Sequence, residues 1–251
     1  MVGHSFNHIA KDYHSKRKKP WRPLEFFLDY LGKKGFRFRG ISLDLGAANG
    51  RNFKIIGTFP KKVIGIDISL ELLKIAKEDL KNPDLYSRAE SIHIQILQAD
   101  IRYLPIRENS IHNIYSIATI HHIKNKSERK NLISQINRIL VKNGNLIITV
   151  WRKWQKKYRS YFLLDFIKRI ISSKHIERQK MAGLSEFGDK FVPWTLSVNG
   201  KAYNRFYHFF SKKEIIKLLK PFQIRDLRLT GGPNNRDNFF IFAQKSKVND
   251  N

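Results

Sequence analysis

Strand-like and helix-like patterns alternate along residues 41–150, and this alternation limits the chain to very few folds. Strands are predicted at residues 41–46, 61–67, 92–99, 111–119 and 145–150, the last after a turn at Asn143 and Gly144. Helices are predicted at residues 50–57, after Ser69 as a capping residue, and at 127–140 with Ser127 as the cap. Because strands joined by helices run in one direction, the pattern predicts an α/β fold with helices on both faces of a parallel sheet.

The C-terminal part of the chain departs from this alternation. Ser211 and Glu214 have the spacing of a capping box, which predicts a helix that ends near residue 219. The segments 223–230 and 238–244 then read as two strands that close the sheet as an antiparallel hairpin. Between the fifth strand and the capping box lies an aromatic and basic segment, residues 152–210, which we interpret as an insertion.

The charge of the chain indicates a polyanionic partner. Lys and Arg number 48 against 21 Asp and Glu, which gives a net charge of +27. Nucleic acid is the first candidate partner and an anionic membrane surface the second. Cysteine is absent, which excludes disulfides, thiolate catalysis and Cys-ligated zinc within this chain. With no apolar run near ~18 residues and no secretory signal pattern at the N-terminus, we expect a soluble cytoplasmic protein.

A glycine loop follows the first strand in the sequence LDLGAANGRN. Gly46 and Gly50 permit a close approach of the backbone to a ligand, and the loop leads into a predicted helix. A nicotinamide dinucleotide is one possible ligand, but its sites favour GxGxxG, and here Ala48 stands at the middle glycine. The glycine loop alone therefore does not decide which cofactor binds.

Acidic residues at three predicted strand ends narrow that choice. Asp44 precedes the glycines and is a candidate to hold an ammonium group. Asp67 ends the second strand, where a carboxylate accepts hydrogen bonds from ribose hydroxyls, and Asp100 ends the third, where it could accept from an adenine amine. The three acids together suit S-adenosylmethionine.

Two adjacent histidines follow the fourth strand in the sequence SIATIHHIKN. This position makes His121 and His122 candidates to face the acceptor of a transferred group. The pair lacks the i,i+4 spacing of helical metal ligands, and no acidic cluster accompanies it, so we predict no metal site.

The order of acid, glycine loop, acid, acid and terminal hairpin resembles the class I S-adenosylmethionine-dependent methyltransferases over residues 41–150 and 211–245. The resemblance implies a Rossmann-like seven-stranded methyltransferase sheet with an antiparallel C-terminal hairpin, an N-terminal helical cap and an insertion after strand five. It implies that backbone at Ile117–Ala118 faces the methionine part of the cofactor. The implied cofactor-binding residues are Asp44, Gly46, Ala48, Gly50, Asp67, Ile68, Asp100, Ile101 and Ile117.

A narrower resemblance covers nearly the whole chain. IAKDYHSKRKKPW, SIATIHHI, GDKFVPW, RFYHFF and RDNFF occur in the order in which they occur in the tRNA wobble-uridine carboxymethyl methyltransferases, which are related to the methyltransferase domain fused to AlkB-type hydroxylases. The resemblance implies methyl esterification of a carboxymethyl group on a wobble uridine. Two residues depart from the pattern. Ala48 replaces a frequent glycine, which should matter little if its φ is negative, and Phe239 replaces a frequent tryptophan.

This resemblance gives the basic stretch YHSKRKKPW a role. A carboxylate acceptor is already ionised at neutral pH and needs a permanent counter-charge rather than a general base. Arg17 is our first candidate for that charge and Arg205 the second, with His121 or His122 orienting the acceptor. Further candidates for the substrate wall are Tyr13, Lys19, Trp21, Trp194, Tyr207, His208, Asp237 and Asn238.

The implied substrate is the anticodon stem-loop of tRNA. WRKWQKKYRSYF interleaves cations for phosphates with aromatic rings for unpaired bases, and residues 33–39 and 167–180 could extend the phosphate track. The resemblance also implies a small zinc-containing activator protein that adds a strand to strand three or to the closing hairpin, and no membrane partner. We interpret the chain as one domain: a cap (1–40), a cofactor-binding core (41–151), a substrate-recognition insertion (152–210), a closing helix and hairpin (211–245) and a tail (246–251).

Two other functions stay open at this point. A small-molecule methyltransferase, acting on a quinone-like precursor at a membrane surface, would use the basic aromatic insertion as a lipid contact. A non-catalytic RNA-binding subunit with a methyltransferase fold would keep the basic surface, but it would have no need of the acids Asp44, Asp67 and Asp100.

Overall fold

The computed structural model describes residues 2–58, 62–82 and 92–246. Lys61 of the predicted second strand and residues 247–251 of the predicted tail lie outside the described residues. The main sheet contains β1 (Ile41–Leu45), β2 (Lys62–Asp67), β3 (His93–Gln98), β4 (Ile111–Ile117), β5 (Leu140–Trp151), β8 (Phe222–Thr230) and β9 (Asn238–Lys245). A separate hairpin contains β6 (Asp189–Thr195) and β7 (Ala202–His208).

The seven main strands have the order β3-β2-β1-β4-β5-β9-β8. β1 to β5 pair in parallel, whereas β9 runs antiparallel to both β5 and β8. This confirms the predicted α/β class, the parallel core and the antiparallel closing hairpin. The helices are α1 (Val2–Lys16), α2 (Arg22–Lys33), α3 (Phe53–Ile56), α4 (Leu70–Leu80), α5 (Lys126–Ile139), α6 (Arg159–Ile171), α7 (Ser173–Met181) and α8 (Lys212–Leu218), with a 3-10 turn at Ile120–His122.

Both faces of the main sheet are buried, as a parallel sheet requires. On β5, Ile147 and Ile148 face opposite sides and belong to different apolar clusters. One cluster contains Leu132 of α5 and Ile215 of α8, and the other contains Leu24 of α2. The N-terminal cap is therefore a structural layer of the core as well as a cover for one end of the sheet.

Several predicted boundaries are wrong by a few residues. α3 begins only at Phe53, because the loop before it has positive φ angles that a helix cannot contain. Asn125, not Ser127, occupies the N-cap of α5, and Ser127 lies within the helix. Asn143, with a φ of 60°, forms a bulge inside a longer β5 rather than a turn before it.

The insertion folds into α6, α7 and the β6–β7 hairpin, and the two strands were not predicted. Pro193 lies inside β6, and a proline argues against an interior strand. In a two-stranded ribbon every strand is an edge, so the proline is tolerated opposite Asn204. The hairpin packs on a third apolar cluster that includes Tyr158, Phe162 and Phe209.

Helix α1 joins the sheet to this hairpin. Asn7 Oδ1 accepts a hydrogen bond from the Ser69 hydroxyl at 2.7 Å, at the start of α4. Asp12 accepts from the Trp194 indole at 2.7 Å and from the backbone N–H of Ser197 at 2.8 Å. α1 therefore connects the N-terminus of α4 to β6 and the turn that follows it.

Among the residues that the structure describes, no helix is long and apolar enough to cross a bilayer.

Candidate active site

A cavity of about 1220 Å³ opens at the carboxyl ends of β1, β2 and β4. In open α/β sheets this end is the usual ligand site. α1 contributes Phe6 and Tyr13 to its wall, Arg17 lines it just after the end of α1, and the β6–β7 hairpin contributes Trp194 and Arg205. The cavity therefore lies between the parallel core on one side and α1 with the β6–β7 hairpin on the other.

The glycine loop has a left-handed backbone at three positions. The φ angles are 77° at Gly46, 50° at Ala48 and 71° at Gly50, and a Cβ at Gly46 would collide with the side chain of Thr119. The condition that φ is negative at Ala48 is therefore not met. Asp67 Oδ2 accepts a hydrogen bond from the backbone N–H of Ala48 at 2.8 Å, and this bond stabilises the unusual conformation.

Asp67 and Asp44 occupy different places relative to the cavity. Asp67 lines it, and its Oδ1 accepts from the backbone N–H of Ser69 at 2.8 Å. Burial raises the pKa of Asp67, against these backbone hydrogen bonds. Asp44 is buried and does not line the cavity, and burial together with the charge of Asp67 raises its pKa to about 7, opposed by Arg51.

Asp100 lines the cavity but already has a cationic partner. Arg102 binds it through Nε and a terminal nitrogen, at distances of 2.7–3.1 Å, and also reaches Glu128 at 3.0 Å. Burial opposes ionisation of Asp100, but the hydrogen bonds from Arg102 outweigh it and lower the pKa. An adenine amine at Asp100 would therefore share the carboxylate with Arg102.

The remaining predicted cofactor residues form apolar and backbone walls. Ile68, Ile101 and Ile117 line the cavity, whereas Gly50 does not. Ala118 has a φ of 55°, and its N–H donates to the Thr149 side chain at 2.9 Å. Carboxylates beside apolar isoleucines and a glycine-permitted backbone approach are what the ribose, adenine and methionine parts of S-adenosylmethionine need, so the residues fit this cofactor.

Arg205 is the most unusual group on the substrate side. Its side chain is 8% exposed, and the guanidinium carbon lies 4.7 Å from the ring centre of Trp194 and 5.2 Å from that of Tyr207. Within the described part of the chain it makes no ion pair, and its buried Nε has no hydrogen-bond partner. A buried cation without a counter-charge is costly, and an anion bound at this wall would supply the missing counter-charge.

Arg17, our first candidate from the sequence, is placed differently. It lines the cavity but is exposed, and among the described residues its guanidinium donates to the backbone oxygen of Lys16 alone, at 3.4 Å. Asn49 of the glycine loop donates to the Arg17 backbone oxygen at 3.1 Å and fixes the end of α1. Lys19 is exposed and does not line the cavity. The structure thus favours Arg205 over Arg17 as the anion ligand.

His121 and His122 both line the cavity as neutral rings. Burial, followed by the neighbouring His122, lowers the pKa of His121 well below its usual value. Burial also lowers the pKa of His122 to about 3, although its bond to the Phe206 carbonyl opposes the shift. That bond, at 2.8 Å, requires a proton on Nδ1 of His122, because a carbonyl only accepts. Nε2 of His122 is therefore left as an acceptor.

The other predicted wall residues separate into two groups. Six of them line the cavity: Tyr13, Trp21, Trp194, Tyr207, Asp237 and Asn238. His208 does not line it; Asp189 and Glu214 each bind one of its ring nitrogens at 2.7 Å. Side chains alternate along a strand, so Arg205 and Tyr207 face the cavity while His208 faces α8.

His208 instead joins the β6–β7 hairpin to α8. Burial opposes its charge, but the two carboxylates raise its pKa. Glu186, His208 and Glu214 offer potential metal ligand atoms within 4.8 Å of one another, yet both ring nitrogens are already hydrogen-bonded. The expected absence of a metal stays a prediction.

Some lining residues were missed from the sequence. Arg102 could have been found from its position two residues after Asp100, and Gln155 lies in the segment read only as basic and aromatic. Phe6 carries no sequence signal, because α1 reaches the cavity only through tertiary packing. Phe239, noted as a departure, is buried in the core between β5 and β8 and does not line the cavity.

Comparisons with known proteins agree with the site. Residues 43–148 match the family model described as a methyltransferase domain. An S-adenosylmethionine-dependent methyltransferase from Methanosarcina mazei has the same fold, with a TM-score of 0.66 over 86% of this chain and 97% of that one at 20% identity. The domain match, the fold and the cavity support S-adenosylmethionine-dependent methyltransferase activity, with S-adenosylmethionine as the cofactor.

Within that class the chain is similar to a particular group. It is 27% identical to the tRNA (carboxymethyluridine(34)-5-O)-methyltransferase of Schizosaccharomyces pombe, over 96% of this chain and 94% of that protein. It is also 27% identical to an enzyme of the same name from Mus musculus, over 83% of this chain but only 29% of that longer protein.

Proposed function

We propose that this protein is a tRNA methyltransferase that esterifies the carboxymethyl group of a wobble uridine in the anticodon loop. The similarity to the Schizosaccharomyces pombe enzyme extends over nearly all of both chains and supports a tRNA substrate. The observation that carries the finer proposal is Arg205, a buried cation in the cavity wall with no counter-charge among the described residues. A carboxylate is the acceptor that this group fits best.

S-adenosylmethionine held beside Asp67 and Asp100 would supply a sulfonium methyl group, and the new O–CH₃ bond to a carboxylate oxygen would replace its S–CH₃ bond. No proton has to be removed, because the carboxylate is already ionised. The task of the protein is therefore to orient and desolvate the acceptor. Arg205 can grip the carboxylate, while the rings of Trp194 and Tyr207 exclude water around it.

The neutral histidines limit what else can bind the acceptor. His122 carries its proton on Nδ1 and uses it on Phe206, so Nε2 cannot donate to a carboxylate. It can accept from the ring N–H of a uracil base. This assigns the carboxylate to Arg205 and the base edge to the neighbourhood of His122.

Four cations at the cavity rim can bind the phosphates on either side of a uridine whose base has turned into the cavity. Arg17, Arg51, Lys124 and Lys157 all line the cavity. Of the aromatic residues expected to stack on bases, Tyr158 and Phe162 are buried, whereas Trp154 is 44% exposed. We therefore assign stacking to Trp154 and phosphate contacts to the rim.

For the activator protein we propose the β3 edge. β3 is an outer strand of the main sheet, and its Leu97 is 39% exposed. An added strand would pair its free backbone groups and cover this side chain. The opposite edge, β8, is partly occupied, since Tyr30 of α2 donates to Asp226 there at 3.0 Å.

The test is mass spectrometry of digested tRNA after incubation with isotope-labelled cofactor, with and without a candidate activator. The expected product carries the label as a base-labile methyl ester on a uridine. Label on a ring nitrogen or on a ribose would overturn the proposal. Arg205→Ala should abolish the ester without abolishing cofactor binding, measured by calorimetry.

A further inference from the structure

Helix α6 presents its apolar residues outward. Leu163, Leu164, Phe166, Ile167, Ile170 and Ile171 are each between 44% and 74% exposed, and we call this set the apolar face of α6. The buried residues of the same helix are Phe162 and Asp165. This is the reverse of an ordinary surface helix, which turns its apolar stripe toward the core.

The orientation of α6 is fixed by specific contacts. Asp165 accepts from Arg169 at 2.8 Å and bonds His175 of α7 at 2.9 Å. On the same buried side, the ring of Phe162 packs at 5.0 Å from that of Phe209. Rotating the helix to bury its apolar face would expose Phe162 and break the contact between Asp165 and His175 of α7, so the apolar face is a stable feature of the fold.

The surroundings of the apolar face are cationic. The exposed charged residues of α6 and α7 are Arg159, Lys168, Lys174, Glu177, Arg178 and Lys180, five cations and one acid. Met181, at the end of α7, is 87% exposed. Scattered exposed apolar residues are normal, but a continuous helical face of six, with cations beside it, indicates a binding surface.

We propose that the apolar face of α6 lies on an anionic phospholipid surface. Aliphatic side chains enter the acyl boundary of a bilayer, and the neighbouring Lys and Arg residues meet its anionic headgroups. α6 has 13 residues and is therefore about 20 Å long, a length suited to lying in the interface. The proposal replaces the expectation of no membrane partner, and it does not depend on the proposed tRNA chemistry.

Charge and side-chain type argue for lipid over other occupants. A second copy of this chain would bring the same cations together on a protein with a net charge of +27. RNA would satisfy the cations, but bases stack on aromatic rings, and five of the six residues of the apolar face are aliphatic. Of these three occupants, only a lipid surface offers acyl chains and anionic groups side by side.

The test is co-sedimentation of the full chain with phosphatidylcholine vesicles and with vesicles that also contain about 30% phosphatidylserine. We expect at least about tenfold stronger partition onto the anionic vesicles, weakening as salt rises. The double variant Ile170→Glu and Ile171→Glu should lower that partition about tenfold. Val198→Glu, at a residue that is 93% exposed in the β6–β7 turn, is the matched control and should change nothing.

Lys174→Glu combined with Lys180→Glu tests the charge component separately and should also weaken binding. Thermal unfolding of each variant checks that the fold is kept. Wild-type protein that stays in solution with both kinds of vesicle would overturn the proposal, as would a double variant that sediments like wild type. Self-association that the double variant abolishes would assign the face to a second copy, and protection of α6 by tRNA alone would assign it to RNA.

Discussion

At the scale of single residues, the choice of anion ligand is between Arg17 and Arg205, and it depends on which of the two is buried without a counter-charge. Arg17 stands in a conspicuous basic run, whereas Arg205 is one arginine beside the aromatic residues of RFYHFF, with no run of cations around it. Burial and the absence of a counter-ion are properties of the folded chain, so the sequence supplied both candidates but not their order. The acids Asp67 and Asp100 were predictable because each ends a recognisable strand.

Arg205→Lys keeps the charge but loses the planar fork, and Arg205→Ala loses both. We expect kcat/KM for tRNA to fall about 10-fold for Lys and at least about 100-fold for Ala, since charged hydrogen bonds contribute about 1.5–3 kcal/mol. Because Arg205 has no buried counter-charge, the Ala variant should unfold at the same temperature as wild type or higher. Parallel loss of activity and Tm would contradict this account.

His208 predicts a pH-dependent contribution to stability. The folded pKa is raised, so the stabilisation is full below the ordinary pKa of about 6.5 and is lost as pH rises through the folded value. Glu214→Gln removes one of its two carboxylates and should lower the free energy of unfolding by about 2–4 kcal/mol near pH 6. The difference should be smaller near pH 9, because the stabilisation falls as pH rises through the raised folded pKa of His208.

Urea unfolding at the two pH values measures this, with Glu71→Gln as the control. Glu71 has a side chain that is 46% exposed and pairs with Lys74 on α4, and its loss should have little effect at either pH. A Glu214→Gln penalty that is the same at both pH values would show that His208 is not the titrating group.

At the scale of elements, periodicity explains what could be predicted. β1 to β5, α4 and the β8–β9 hairpin have the patterns of buried strands and amphipathic helices, and each was found. The β6–β7 hairpin and α6 were not assigned, because Pro193 interrupts one strand and α6 turns its apolar residues outward. Elements that serve a surface rather than the core follow the sequence rules least.

The contact between α1 and the glycine loop gives a prediction at this scale. Asn49 is 1% exposed, and its Nδ2 lies 3.1 Å from the Arg17 backbone oxygen and 3.0 Å from His14 Nδ1. Asn49→Ala should therefore raise the amide hydrogen-exchange rates of α1 about tenfold or more. A helix end that loses these hydrogen bonds opens more often. Hydrogen exchange with mass spectrometry measures this.

Asn82→Ala is a suitable control, since Asn82 lies just beyond the end of α4 and is exposed. It should leave exchange in α1 unchanged. If Asn49→Ala leaves α1 as protected as in wild type, the hydrogen bonds of Asn49 do not hold the helix in place.

At the scale of the whole molecule, the net charge of +27 should make the affinity for tRNA depend on salt concentration. If the four rim cations each contact one phosphate, the logarithm of tRNA affinity should fall with the logarithm of salt with a slope of about −3. That is a loss of about 50-fold between about 50 and 200 mM salt, measurable by gel shift. Lys124→Gln should reduce the slope by roughly one. A flat response would remove the electrostatic part of the proposal.

The double attachment of α1, through Asn7 to α4 and through Asp12 to the hairpin, also has a kinetic consequence. The cofactor candidates Asp67 and Asp100 and the anion candidate Arg205 line the same cavity as Phe6 and Tyr13 of α1, so we expect the two ligands to enter and leave through a shared space. We expect the modified RNA to dissociate before S-adenosylhomocysteine does. Product-inhibition patterns would reveal this sequence of departures, and free exchange of S-adenosylhomocysteine while RNA stays bound would exclude it.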